Sequence, residues 1–168
     1  MSVINYSELD LKEESVIRIN RVAKVNSRGK RFSFSTLVVI GDGRAHVGIG
    51  AGKANEVLVS ITKAKENARQ NIVKVPVYNY TIPHEIIGRH SASRVLLKPA
   101  PPGTGIIAGS AVRLIMEQVG ISNIYTKVLG SNNKMNVAKA VMNALTSLQD
   151  VRKVAKKRGK TPKNLFEI

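Results

Sequence analysis

Two periodicities take turns along this chain. Residues 16–25 (VIRINRVAKV) are rich in β-branched residues and mix apolar with basic positions. In residues 31–40 (RFSFSTLVVI), Phe32, Phe34 and Thr36 alternate with serines before four apolar residues follow in succession. Both segments read as strands. Between them Asn26-Ser27-Arg28-Gly29-Lys30 is a turn cluster, and Gly41-Asp42-Gly43 supplies the left-handed backbone of a second hairpin turn. Residues 44–50 make a third short strand. The period then lengthens: Ala54, Val57, Leu58, Ile61, Ala64 and Ala68 recur at three- and four-residue steps, continuing to Ile72. Lys63, Glu66, Arg69 and Gln70 fall on the other side, so this segment is an amphipathic helix. The first unit reads β-β-β-α.

The punctuation then changes. Five of the six prolines lie between residues 76 and 102, which places a boundary near Lys74. Beyond it, strands are expected near 73–80, 84–89 and 93–98, followed by the loop Pro99–Gly105. Ser110 is the expected N-cap of a helix running to Val119 and stopped by Gly120. Residues 124–129 form a further strand. Asn136 then caps a helix whose apolar face holds Val137, Ala140, Val141, Ala144, Leu145 and Leu148. The predicted fold class is α+β: a β-β-β-α unit over residues 14–74, then a two-layer α/β unit over 75–150. An N-terminal tail (1–13) and a basic C-terminal tail (151–168) flank them. Separate cores are expected, Phe32, Phe34, Val57, Ile61 and Ala68 in the first and Val95, Leu97, Leu114, Val141 and Leu145 in the second.

Charge redirects the reading from fold to partner. Lys and Arg number 27 against 11 Asp and Glu, a net charge of +16, which favours nucleic acid over an anionic membrane surface. The tail concentrates it: Arg152, Lys153, Lys156, Lys157, Arg158 and Lys160, with Lys163, read as a phosphate-binding arm. With no Cys, thiolate metal sites, disulfides and Cys nucleophiles are excluded. No apolar run approaches the ~20 residues of a membrane span. The polar start, with Glu8 and Asp10, resembles neither a signal nor a transit peptide.

Catalytic and metal motifs fail on inspection. Gly52-Lys53-Ala54 lacks the hydroxyl of a Walker loop, and Val47 stands where its first glycine belongs. The Gly103–Gly109 stretch has dinucleotide-type spacing but no acidic partner. His84-Glu85-Ile86-Ile87-Gly88 has glycine where a zinc protease needs its second histidine. The three histidines form no metal set with carboxylates. The chain is expected to be no enzyme and to carry no cofactor or metal.

Among nucleic-acid modules, an RNA-recognition motif needs β-α-β-β-α-β order and a KH module needs G-x-x-G; neither occurs. The β-β-β-α order is instead the core of a double-stranded RNA-binding domain, which reads shape and phosphate with a hairpin loop and a helix N-terminus. The loop Arg28-Gly29-Lys30-Arg31 and the pair Gly52-Lys53 before the helix supply both parts.

These residues also carry a family resemblance. Gly29 through Gly43, then Val47-Gly-Ile-Gly50 and Gly52-Lys-Ala54, resemble the small-subunit ribosomal protein five family. So do Ser93-Arg94-Val95, Pro99-Ala100, Gly103-Thr-Gly-Ile-Ile-Ala-Gly109, Gly130-Ser131 with Asn133, Asn136 and Val137, and Lys157-Arg158-Gly159-Lys160. The resemblance spans roughly residues 14–160 and is of the bacterial type. It implies that the second unit contains a left-handed crossover, against the general right-handed rule. It implies binding to small-subunit (16S-type) rRNA near the decoding region and the path where mRNA enters, contacts with ribosomal proteins four and eight, and support of assembly and accuracy. mRNA itself is a candidate partner there; a membrane and a second copy of the chain are not.

The loop Asn26–Arg31 matches the hairpin the family inserts into rRNA beside the spectinomycin pocket, although Asn26-Ser27-Arg28 departs from more glycine-rich relatives. Candidate rRNA contacts are Arg21, Lys24, Asn26, Ser27, Arg28, Gly29, Lys30 and Arg31 of the hairpin. Arg44, Lys53 and Asn55 are candidates nearer the helix, and Lys156, Lys157 and Arg158 in the tail. Gly103, Thr104, Gly105, Gly109 and Arg113 match the region facing protein four. The implied location is the bacterial cytoplasmic ribosome rather than an organellar one. The alternative reading is a free-standing RNA-binding factor or chaperone, distinguished by failure to migrate with small subunits in near-equal amount.

Overall fold

Two four-stranded sheets and four helices make up the computed structural model, which describes residue 11 and residues 14–161. The 1–13 tail apart from Leu11, and Lys163, lie outside the described residues. Strands β1 (Ser15–Asn26), β2 (Gly29–Gly41), β3 (His46–Ala54) and β4 (Val73–Lys74) form an antiparallel sheet in that order, with helix α1 (Val57–Gln70) between β3 and β4. The second sheet has the order β5-β6-β8-β7, from β5 (Ile86–His90), β6 (Ser93–Pro99), β7 (Ile106–Ile107) and β8 (Ile124–Gly130). Helix α2 (Ser110–Val119) joins β7 to β8, which run parallel, while the other pairs are antiparallel. Helices α3 (Lys134–Ser147) and α4 (Val151–Lys157) close the chain. The α+β class and the β-β-β-α order are those read from the sequence.

The apolar run in β2 shows why two separate cores do not form. Successive strand residues point to opposite faces. Leu37 and Val39 enter the main core with Val95, Leu97, Ile115 and Leu145 of the second half. Val38 and Ile40 point the other way and pack with Ala64 and Ala68 of α1. An uninterrupted apolar segment is what a strand covered on both faces requires. The expectation of independent cores is therefore corrected: one core joins both halves, and a smaller cluster lies under α1. Phe32 is 47% exposed and Phe34 half-buried, so neither anchors the first core. Leu114 is likewise only half-buried.

Helix α1 keeps Ala64 and Ala68 of the expected stripe buried but not its larger residues. Its buried residues are Ser60, Ala64 and Ala68, while Leu58 is 77% exposed and Val57 and Ile61 half-buried. The cause lies in β3. Gly48, Gly50 and Gly52 share one strand face, and a Cβ on them would meet the backbone at Ala68, Ala64 and Ser60 respectively. Strand and helix approach so closely that only small residues fit on either side. The Ser60 hydroxyl donates to the Val57 carbonyl and pairs with buried Thr36 Oγ1 at 2.7 Å, so its burial leaves no polar group unmatched.

The turn between β2 and β3 docks on the end of α2. Gly43 N donates to Gln118 O and Ala45 N to Val119 O, giving α2's last carbonyls partners outside the helix. Asp42 organises this turn, with its side chain 6% exposed. Its Oδ1 accepts from the backbone N–H groups of Arg44 (2.6 Å) and His46 (3.0 Å), and Oδ2 lies 2.6 Å from His46 Nδ1. Burial alone would raise the Asp42 carboxyl; the Arg44 N–H, the His46 ring and the His46 N–H outweigh it and hold it below its ordinary value. A depressed carboxyl contributes stability above its unfolded pKa and loses it as pH falls through the folded one. Asp42→Ala should therefore melt below the wild type at pH 7, and the gap should narrow below about pH 4. Parallel thermal melts at pH 7 and pH 3 check this; a gap independent of pH would contradict it.

Elsewhere the strands and caps shift from expectation. The strand expected over 73–80 ends at Lys74, because Pro76 has no N–H for a ladder and the chain then turns through Asn79 and Tyr80, both at positive φ. Residues 106–107, which the sequence reading assigned to no element, pair with β8. Gly109 rather than Ser110 is the N-cap of α2, while Gly120 stops it in left-handed conformation as expected. Asn133 rather than Asn136 caps α3, its side chain accepting from Met135 N at 3.0 Å. The basic tail is not a free arm from residue 151: Asp150 caps α4, which buries Val151 and Ala155.

Candidate nucleic-acid interface

The distal half of the β1–β2 hairpin stands clear of both cores. Asn26 pairs with Gly29, so Ser27 and Arg28 form a two-residue turn; Gly29 supplies the positive φ of 118° that closes it. Arg21, Lys24, Asn26, Ser27, Arg28 and Gly29 are exposed, as are Lys30 and Arg31. Sheet register makes Lys24 the direct cross-strand neighbour of Arg31, and Val25 that of Lys30. Like charges placed opposite one another are destabilising, and no ion pair relieves them among the described residues. Arg21 is held differently, its guanidinium 4.0 Å from the centre of the Phe32 ring. That contact gives exposed Phe32 a partner.

The hairpin's base adds residues that sequence reading missed. Arg18, Asn20 and Ser35 line a cavity of about 260 Å³ together with Asn133 and Lys134 at the start of α3. Lys53 pairs with Ser35 in register and is exposed, so it stands on the same face of the sheet. The alternation of β1 was the available signal for Arg18; nothing local to residue 134 announces its approach to the hairpin. Arg44 and Asn55 are exposed, Arg44 on the turn docked against α2 and Asn55 just before α1.

The tail bases form a second cationic surface. Lys157 and Arg158 line a cavity of about 690 Å³ with Lys74 and Lys153, and Asp150 is on its wall. Lys156 is exposed on the same helix. None of the hairpin bases lines this cavity, so the candidate RNA contacts divide between two places.

The Gly103–Gly109 stretch is tied to residues on either side of it. Thr104 Oγ1 donates to Pro101 O at 2.8 Å, Gly105 N to Asn123 Oδ1 at 3.1 Å, and Arg113 Nη2 to Ile106 O at 2.7 Å. Gly103 and Gly109 are exposed, and Ile107 is 51% exposed. The loop is thus a firm, outward surface rather than a cradle. The other motifs weighed in the sequence have structural tasks. Gly48, Gly50 and Gly52 admit α1, His46 pairs with Asp42, and His84 Nε2 accepts from Gln149 N at 3.0 Å. No described helix is long and apolar enough to cross a membrane.

A family model described as ribosomal protein S5, N-terminal domain, matches residues 12–76, and one described as ribosomal protein S5, C-terminal domain, matches residues 88–158. Small ribosomal subunit protein uS5 of Chloroflexus aurantiacus is 49% identical over 164 residues, covering 98% of this chain and 92% of its own. The uS5 proteins of Thermotoga maritima and Syntrophobacter fumaroxidans are each 52% identical. They cover 99% and 95% of this chain and 92% and 96% of their own lengths.

Proposed function

Because the chain belongs to the ribosomal protein S5 family, whose members are structural and non-enzymatic parts of the small ribosomal subunit, we propose that its free hairpin anchors it in small-subunit rRNA. The observation that carries this is the uncompensated cationic tip, Lys24 against Arg31 with Arg28 and Lys30 beside them, projecting with both faces open. Such a tip enters a groove and meets phosphates from two sides, and phosphate contacts position without reading sequence. Arg44, Lys53 and Asn55 extend the contact toward α1, and Lys156, Lys157 and Arg158 add a second foothold.

The finer parts of the reading rest on the family. In it, residues 14–74 are the RNA-binding unit and residues 75–150 the α/β unit. The protein lies near the decoding region and the path where mRNA enters, in the cytoplasmic ribosome of a bacterium. Gly103, Thr104, Gly105, Gly109 and Arg113 face ribosomal protein four, protein eight is a second neighbour, and assembly and accuracy depend on these contacts. Sedimentation of a lysate at moderate salt tests the core of the reading. The protein should migrate with small subunits in near-equal amount; substoichiometric association, released by salt that leaves other subunit proteins bound, would indicate a free-standing RNA-binding factor.

A further inference from the structure

The second sheet has an open face. Helix α3 covers one side, packing against β5 closely enough that a Cβ on Gly88 would meet Ala140 and Ala144. On the opposite side the register builds three rows. Ile87, Leu96 and Lys127 are neighbours in the first, and Arg89, Arg94 and Leu129 in the second. Lys98, Tyr125 and Ile107 make the third. Every cation in these rows is exposed, and Ile87, Tyr125 and Leu129 are 46%, 39% and 38% exposed. No Asp or Glu occupies this face of the four strands.

We infer that this face is a third RNA-binding surface, distinct from the hairpin and from the cations of α4, that takes a phosphodiester strand across Arg89, Arg94, Lys98 and Lys127 with a base or ribose against Tyr125. Two features favour RNA. Arg89 and Arg94 are direct cross-strand neighbours with no acidic group between them, a repulsion that an anionic ligand relieves. The charge is also central: Arg94, Lys98 and Lys127 lie on the inner strands β6 and β8, whereas protein interfaces exclude charge from their centres and keep it for the rim. An exposed aromatic ring among cations is the arrangement on which unpaired bases stack.

The inference rests on the RNA-binding reading of the chain but not on the hairpin's part in it. The test uses the full chain and a small-subunit rRNA transcript, with affinity measured over a salt series and contacts read by hydroxyl-radical footprinting. A variant carrying Arg89→Gln, Arg94→Gln, Lys98→Gln and Lys127→Gln should lower the slope of log affinity against log salt by about 3, at roughly 0.7–0.9 per phosphate. It should lose a set of protected nucleotides that an Arg28→Ala, Lys30→Ala, Arg31→Ala variant keeps. Tyr125→Ala should weaken binding by about 5-fold to 100-fold with the slope unchanged. Should the fourfold variant melt early, the double variant Lys98→Gln, Lys127→Gln carries the same test at half the slope change. Wild-type slope and footprint in these variants would overturn the inference. If the only loss appeared when other subunit proteins were added, the face would instead dock an acidic protein surface.

Discussion

A chain in which Arg28, Lys30 and Arg31 are all alanine is expected to fold normally and fail to enter small subunits. The three side chains are exposed and bear on neither core, so the substitution falls in the surface class whose stability effects stay within about 0.5 kcal/mol per site. Removing Arg31 even relieves its repulsion with Lys24. What is lost is the release of counterions on binding. If each base meets one phosphate, the salt slope of rRNA affinity should shrink by roughly 2–3. Affinity should fall to a similar degree for unrelated structured RNAs, since these contacts carry no sequence information. The matched variant Lys156→Ala, Lys157→Ala, Arg158→Ala removes equal charge from α4, and it should still join subunits with reduced stability. Normal assembly of the hairpin variant with an unchanged slope would leave the tip in solvent and remove the proposed anchor.

The second large effect is on folding. Gly50→Ala adds a single carbon, but that carbon would meet the Ala64 carbonyl and the Ala68 N–H and lie 2.8 Å from Ala68 Cα. These are helix backbone atoms, which cannot rotate aside as a side chain would. Overpacking of this kind costs about 1–3 kcal/mol and more where the neighbours are rigid, against a total stability of about 5–15 kcal/mol. Elsewhere in a strand, alanine would be favoured over glycine by roughly 0.5–1 kcal/mol, so the sign of the effect is itself diagnostic. A fall in melting temperature of about 2–12 °C is expected, at roughly 2–4 °C per kcal/mol for a chain this size. Gly109→Ala, whose new carbon enters open space at a helix N-cap, should cost about 1 kcal/mol or less. Equal melting of Gly50→Ala and wild type would mean that α1 does not lie so close to β3.

Much of this was present in the sequence because it depends on neighbours a few residues away. The alternation in residues 31–36, the turn at Asn26–Lys30, the glycine stop at Gly120 and the apolar face of residues 137–148 are local consequences of period and backbone freedom. The cationic hairpin was legible for the same reason: its bases are crowded within a turn. So was the incompleteness of the Walker-type and zinc-protease motifs, each of which lacks a residue its chemistry needs.

Tertiary structure decided what depends on the far side of an element. The sequence stripe on α1 joins Val57, Leu58 and Ile61 to Ala64 and Ala68, since pattern reading weights bulk, and only the two alanines of that set are fully buried. The partner strand presents Gly48, Gly50 and Gly52, so the buried face is the one with Ser60, Ala64 and Ala68, and Leu58 is left outside. The run Leu37–Ile40 announced a buried strand, but only the assembled molecule divides it between two neighbours and joins both halves in one core. Helix α4 was hidden because its basic residues outnumber Val151 and Ala155, the two that anchor it. The total charge of +16 belongs to the sequence alone. Which cations face each other across a strand pair, Lys24 with Arg31 and Arg89 with Arg94, is settled by hydrogen-bond register, because a one-residue slip would move each side chain to the opposite face.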